Sequence, residues 1–296
     1  MIGIVIIGRE LEPLLQSNLM RTWQRAQQQL AHVEFKVLVI TNQLAEAGRH
    51  LQGVPGVVYA CAGFTDPSRG SAAGCRARGL QIGRALGVTT FGFLDGDMRP
   101  SARFFDALRN TDSLTSNGEL VVGDRFDLSQ TGHRWRVRRR ISPRVNKNGW
   151  VGRIYGSFIL KPSVGFEMPL TFDEEEQWLL IRAHANDYRV TYQPFIFVHH
   201  FDRVNAKGRA LRLLTSNRLT GFWHGWMQIR VARELRVAAR IYSRDLAFMM
   251  LLIVLVALAP FFISVPALAL WRRPAQSLVL GLPKALMFKM PERGAS

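Results

Sequence analysis

The sequence predicts an α/β protein. Its core is a doubly wound, mostly parallel sheet, and a basic amphipathic helix and a C-terminal hydrophobic membrane segment follow. Three observations carry this. Short apolar runs alternate with helix-length amphipathic stretches through about the first third of the 296 residues, the pattern of stacked βαβ units. The run Phe91-Gly92-Phe93-Leu94 ends on Asp95-Gly96-Asp97, so two carboxylates leave the end of a buried strand, where open α/β sheets place their ligands. Residues 246–271 contain no charged side chain, and about twenty apolar residues suffice to cross a bilayer.

Taken in order, Ile2 to Ile7 reads as a buried strand closed by Gly8-Arg9-Glu10. Leu11, Leu14, Leu15, Leu19, Trp23, Ala26 and Leu30 then recur at helical spacing, which gives an amphipathic helix. Phe35 to Ile40 is a second strand, closed by Thr41-Asn42, and Val57 to Ala60 a third. Ser71 to Leu86 forms a helix despite its glycines, and the strand that ends at Asp95 follows. Pro100-Ser101 opens a helix with Phe104, Phe105 and Leu108 on its buried side. Glu119 to Gly123 is a strand, the arginine-rich stretch 134–147 a loop, and 156–160 a strand ending before Pro162. Residues 174–186 form a helix whose first turn holds Glu174, Glu175 and Glu176, where the helix dipole favours acids. Tyr188 to Tyr192 is a strand, and Phe195 to Val198 leads to His199-His200.

The net charge of +17 sits in two places. Residues 134–147 carry seven Arg or Lys and no acid, and 203–244 carry ten against Glu234 alone, which accounts for 16 of the 17 excess charges. Such surfaces suit phosphate, nucleic acid or anionic lipid. The alternation of aromatic and basic residues that single-stranded nucleic-acid binders use is missing, so no nucleic-acid partner is expected. The two cysteines, Cys61 and Cys75, form neither a metal pair nor a disulfide framework. Over 205–245 an apolar stripe (Phe222, Trp226, Ile229, Leu235) runs beside Arg230, Arg233, Arg236, Arg240 and Arg244, as in a helix lying on anionic lipid. Pro260 and Pro266 kink the apolar segment or mark a hairpin, so one span and a returning hairpin both stay open. The basic block before residue 246 puts the preceding domain on the cytoplasmic face of the cell membrane. The expected domains are 1–204, 205–245 and 246–296.

Each candidate motif has an ordinary alternative when it stands alone. Asp-Gly-Asp is a common solvated turn, Glu174–Glu176 can be helix N-terminal acids, and His199 and His200 can be ordinary strand-end histidines. Their order and spacing, however, resemble the family 2 glycosyltransferases of the GT-A fold over about residues 1–205. The residues that carry the likeness are Ile4 to Arg9 (the opening strand), Arg76, Gly79 and Leu80 (the Arg-Asn-x-Gly-Leu segment), Phe93 to Asp97 (the DxD motif), Glu175-Glu176 with Leu179 and Arg182 (the acidic helix), and Tyr188-Arg189-Val190 with the later histidines. Thr41 and Asn42 stand where the family often has a base-reading Asp, Ala77 replaces the Asn of its arginine segment, and Glu10 replaces an Asn after the first strand.

The resemblance implies a metal-dependent, inverting transfer of a sugar from a nucleotide-diphosphate sugar. The acceptor would be a lipid-linked or cell-envelope glycan, inferred from the membrane tail. It implies Mg²⁺ or Mn²⁺ on Asp97, with Asp95 on metal or ribose and His199 or His200 completing the coordination sphere. Glu176, with Glu175 next, is the expected general base. Gly8, Arg9, Arg76, Asp95 and Thr41 are the expected donor contacts. Independently of the resemblance, Arg138 to Arg140 are either a solvated face or, as a functional element, a contact for the lipid surface or a lipid-linked diphosphate acceptor. A catalytically degenerate binding or scaffold protein of the same fold is the alternative.

Overall fold

In the computed structural model, the described residues are 1–8, 13–41, 54–61, 71–115, 118–131, 134–143, 145, 151, 154–168 and 175–202. All belong to one compact unit, Met1–Arg203. Arg9, the amphipathic stretch 205–245 and the apolar segment 246–271 lie outside the described residues. Among the described residues, no helix is long and apolar enough to cross a membrane.

Nine strands and four helices are described: β1 (Ile2–Gly8), α1 (Pro13–Gln29), β2 (Phe35–Thr41), β3 (Val57–Cys61), α2 (Ser71–Ala85), β4 (Thr90–Asp95), β5 (Met98–Pro100), α3 (Ala102–Asp112), β6 (Glu119–Thr131), β7 (Arg134–Ile141), β8 (Phe158–Lys161), α4 (Glu175–Ala185) and β9 (Arg189–Asp202). They make one sheet in the order β3-β2-β1-β4-β8-β6-β9-β5, with β7 paired to β6.

The sheet is mixed, which corrects the mostly parallel expectation. β1, β2, β3 and β4 pair in parallel. β8 enters antiparallel beside β4, and β6 runs antiparallel to β8 and β7 but parallel to β9. Parallel order needs a helical crossover between neighbouring strands. α1 makes that crossover between β1 and β2, α2 carries the chain from β3 past β2 and β1 to β4, and the pattern lapses where the β6–β7 hairpin makes the connection.

The winding on both faces does hold. Along β1, Val5 and Ile7 pack with Cys75 and Leu80 of α2 and with Leu179 and Leu180 of α4. Ile2, Ile4 and Ile6 pack instead with Leu19 of α1, with Leu30 just after it, and with Phe104, Phe105 and Leu108 of α3. Strand residues two apart share a face, so a continuous apolar run feeds both layers. Each such side chain fully buried is worth about 1.5–3 kcal/mol. Two glycines of α2 have a packing reason, since a Cβ at Gly79 would lie 2.5 Å from Val5 Cγ1 and one at Gly83 2.4 Å from Phe91 Cε1.

The largest departure is β7. Its charge density reads as a loop, yet Arg134–Ile141 is a strand with a mostly exposed side-chain pattern. Two buried acids of β6 make this stable. Asp124 accepts from Arg140 Nε at 2.8 Å, and Asp127 from Arg139 Nε at 2.6 Å. Trp135 packs edge-on against Phe201.

Candidate active site

The C-terminal ends of β1, β2 and β4 lie side by side. Gly8 pairs with Thr41, and Ile7 pairs with Asp95. Thr41 is buried, with its hydroxyl 2.9 Å from the Tyr59 hydroxyl. The Asp95–Asp97 turn is pinned from beneath. Gly96 N–H donates to Ile7 O at 2.7 Å, and Asn18 of α1 donates to Gly96 O at 3.3 Å. Arg99 in turn donates to Asn18 Oδ1 at 3.0 Å.

Arg76 gathers the acids that the sequence leaves about eighty residues apart. The residue is 1% exposed, and its guanidinium donates to Asp95 Oδ1 at 2.7 Å and to Glu176 Oε1 at 3.2 Å. Glu176 Oε1 also accepts from Gly156 N–H at 2.6 Å. Gly156 has φ +69°, and a Cβ there would meet Met98 Cε at 2.3 Å and Asp95 Oδ2 at 2.7 Å. Only glycine fits both the left-handed backbone and the space. Arg76, expected as a donor contact, is therefore committed to holding the two carboxylates. Glu175 is the first residue of α4.

Asp97 takes a different partner. Its carboxylate is half-exposed, and His200 Nε2 stands 3.2 Å from Oδ2. On the other side of the ring, His200 Nδ1 lies 2.9 Å from Asp127 Oδ1. Burial disfavours the imidazolium, but hydrogen bonds to Asp127 and Asp97 outweigh it and raise the His200 pKa to about 9. Burial also opposes the Asp127 carboxylate. Hydrogen bonds from His200 and Arg139 and the charge of Arg125 overcome this and hold it well below the usual carboxylate range.

His199 points to the opposite face of β9. Its ring packs on Phe126 and Phe197, with centroids 6.2 and 5.4 Å away. Burial and the nearby Arg99 and Arg25 lower its pKa. The structure thus brings together Asp97 and His200 from the expected metal set and leaves His199 on the far face. Asp95 is taken by Arg76.

Among the described residues, no group of three His, Cys, Asp or Glu side chains is placed to hold a metal ion. The Asp97–His200 pair still fits one. It offers one oxygen and one nitrogen donor, which suits Mn²⁺ or a Mg²⁺ that also takes substrate phosphates. Asp127 would then fix the ring through Nδ1.

Asn18, Asp127 and Gly156 were not singled out in the sequence. Asp127 had a signal: Arg125-Phe126-Asp127-Leu128-Ser129 alternates as a strand does. Asn18 and Gly156 had none, because their partners are distant in the chain.

No protein-family model and no curated protein sequence matches the chain. Solved structures do match. The S. aureus TarS fragment 1–349 aligns with TM-score 0.56 at 11% identity, over 96% of this chain and 81% of that one. Its complex with UDP-GlcNAc gives 0.58 at 10% identity, over 99% and 82%. The mannosyltransferase PcManGT from Pyrobaculum calidifontis, in complex with GDP-Man and Mn²⁺, gives 0.53 at 14% identity, over 97% and 87%. The fold is that of the GT-A-like glycosyltransferases. At these identities the likeness establishes the architecture, and the chemistry has to be argued from this chain's own residues.

Proposed function

We propose that the chain is an inverting, metal-dependent glycosyltransferase. It would move a sugar from a nucleotide-diphosphate sugar to a lipid-linked or cell-envelope glycan at the cytoplasmic face of the membrane. The observation that carries this is the pairing of Asp97 with His200 beside the Asp95–Arg76–Glu176 cluster, all at the strand ends of a GT-A-like sheet. Neighbours of this fold have been solved with UDP-GlcNAc, or with GDP-Man and Mn²⁺.

The chemistry divides among these groups. A divalent cation supplies charge neutralisation for the departing diphosphate. Asp97 and His200 would hold it, and His200 Nε2 must shed its proton to do so. Asp95, fixed by Arg76, suits a ribose or cation contact. Glu176 is held at the same strand ends and accepts the proton of the attacking hydroxyl. The acceptor oxygen then bonds the anomeric carbon as the bond from that carbon to the diphosphate oxygen breaks. One displacement inverts the configuration. The apolar segment and basic stripe beyond residue 204 support the membrane reading.

The test is turnover of nucleotide sugars with and without Mn²⁺ or Mg²⁺, beside Asp97→Asn and Glu176→Gln. Loss of about 10²-fold or more is expected in each variant. Unimpaired turnover in both would remove these residues from the reaction.

A further inference from the structure

We propose that the site-side face of the β6–β7 hairpin is a phosphate-binding acceptor subsite. It would take a diphosphate or phosphodiester carried by the acceptor next to the sugar that is extended. This deepens the transferase reading and rests on it.

Strand register shows which arginines share a face. Asp127 is opposite Arg139, Ser129 opposite Arg136, and Thr131 opposite Arg134. Directly opposed residues project to the same side. The register shifts between Asp127 and Leu128, and a bulge of this kind sets two residues against one. Accordingly both Arg138 and Arg139 reach Asp127 Oδ2, at 3.4 and 2.6 Å. Arg125, two residues before Asp127, lies 3.0 Å from its Oδ1. Arg125, Arg134, Arg136, Arg138 and Arg139 therefore line one face. Asp127 is the acid that Arg125, Arg138 and Arg139 share, and Asp202 takes the register position opposite Ser129. Even with both acids counted, positive charge is in large excess.

This is also the face of the candidate active site. His200 is opposite Asp127 on β9 and Met98 is opposite His200 on β5. Arg125 stacks over the Tyr155 ring, 5.5 Å from its centroid, next to Gly156. The row His200–Asp127–Arg139 crosses three neighbouring strands, a span of about 10 Å. An anion held by Arg138 and Arg139 would keep an attached sugar within reach of the Asp97–His200 pair. The other arginines continue away from it for roughly 15 Å along β7.

Three features favour an acceptor phosphate over other anions. Under the transferase reading the donor diphosphate would be held at the strand ends, by a cation on Asp97 and His200. A single-stranded nucleic acid would need a run of exposed aromatic rings among the arginines, but the one ring here among the described residues, Tyr155, is half-buried and covered by Arg125, and Trp135 lies on the opposite face against Phe201. The exposed apolar residue of β7, Val137, also projects from that opposite face, so the arginine face offers no wedge for a bilayer.

The experiment is calorimetry on the full chain with dodecyl diphosphate and with a glycerol-phosphate oligomer. Each is measured with and without Mn²⁺ plus UDP or GDP. Wild type is compared with Arg136→Gln/Arg138→Gln and with Arg78→Gln, an exposed arginine on α2. The double variant should keep the wild-type urea midpoint and bind the anion about tenfold more weakly or worse. Arg78→Gln should bind as wild type does, and nucleotide affinity should be unchanged in all three proteins. Preference for the alkyl diphosphate identifies a lipid-linked diphosphate as the source, and preference for the oligomer a phosphodiester glycan. Equal anion binding in wild type and double variant overturns the proposal. So does a parallel loss of nucleotide affinity, which makes these donor contacts. Arginine-dependent capture by phosphatidylglycerol vesicles without binding of either soluble anion overturns it in favour of a lipid-surface contact. Arginine-dependent anion binding without any nucleotide binding would keep the subsite and sink the transferase reading.

Discussion

At the strand ends, one buried arginine gathers two carboxylates: Arg76 holds Asp95 at 2.7 Å and Glu176 at 3.2 Å. On β6, one buried carboxylate gathers cations: Asp127 holds Arg125 at 3.0 Å, Arg139 at 2.6 Å and His200 at 2.9 Å, with Arg138 at 3.4 Å. The two clusters are opposites in sign. The first leaves a negative excess beside the Asp95–Asp97 turn, which suits a cation. The second leaves a positive excess, which suits an anion. In each, the buried member has the smaller share of the charge, so the surplus lies on groups that still reach water. That arrangement limits the desolvation cost of burying ions.

The comparison can be broken from either end. Arg76→Met should have the largest effect, because it leaves two adjacent carboxylates without their shared cation. Breaking a buried pair costs about 3–5 kcal/mol. Partial exposure of Asp95 and Glu176 places the expected loss at the lower end, to be read from urea unfolding. Donor turnover should fall with it. Gly156→Ala should come close behind, because the new methyl meets Met98 and Asp95 at a left-handed φ. A cost of about 1–3 kcal/mol is expected, with activity falling more than stability.

Asp127→Asn should be milder, about 1–3 kcal/mol, because the amide still accepts hydrogen bonds and the freed cations are partly solvated. Its diagnostic is the histidine. In the metal-free protein His200 should titrate near pH 9 by NMR, and in Asp127→Asn its pKa should drop towards the ordinary value of about 6.5. The sign for stability follows. The folded pKa is raised, so this contribution is fully present below about pH 6.5 and is lost as pH rises towards 9. Wild-type unfolding free energy should decline across that window, and Asp127→Asn should show a flatter profile. The smallest effect belongs to Arg139→Gln. Its side chain is 56% exposed, and exposed ion pairs are worth about 0–1 kcal/mol.

Most of the parallel half was legible because its strands are short apolar runs that feed both core layers and alternate with amphipathic helices. Ile2 to Ile7, Phe35 to Ile40 and Phe91 to Leu94 all form strands where expected. The β6–β7 hairpin was not legible. Its arginines look like a solvated loop until Asp124 and Asp127 are seen beneath them, and a carboxylate in a neighbouring strand leaves no trace in the arginine stretch itself. The same reason hid the split of the histidine pair. Two adjacent residues of a strand face opposite ways, but which of His199 and His200 meets Asp97 depends on the register with β5 and β6.

Periodicity and turn chemistry alone therefore determined the α/β class, both helical layers, the Asp95–Asp97 turn and the acidic first turn of α4. These are local properties, set by residues within a few positions of one another. Only the tertiary structure decided that Arg76 joins Asp95 to Glu176, that His200 rather than His199 stands by Asp97, and that the charged stretch becomes a strand. Each of those depends on a partner many residues away, and the free energy of a buried ion pair exists only once folding has removed the water between its members.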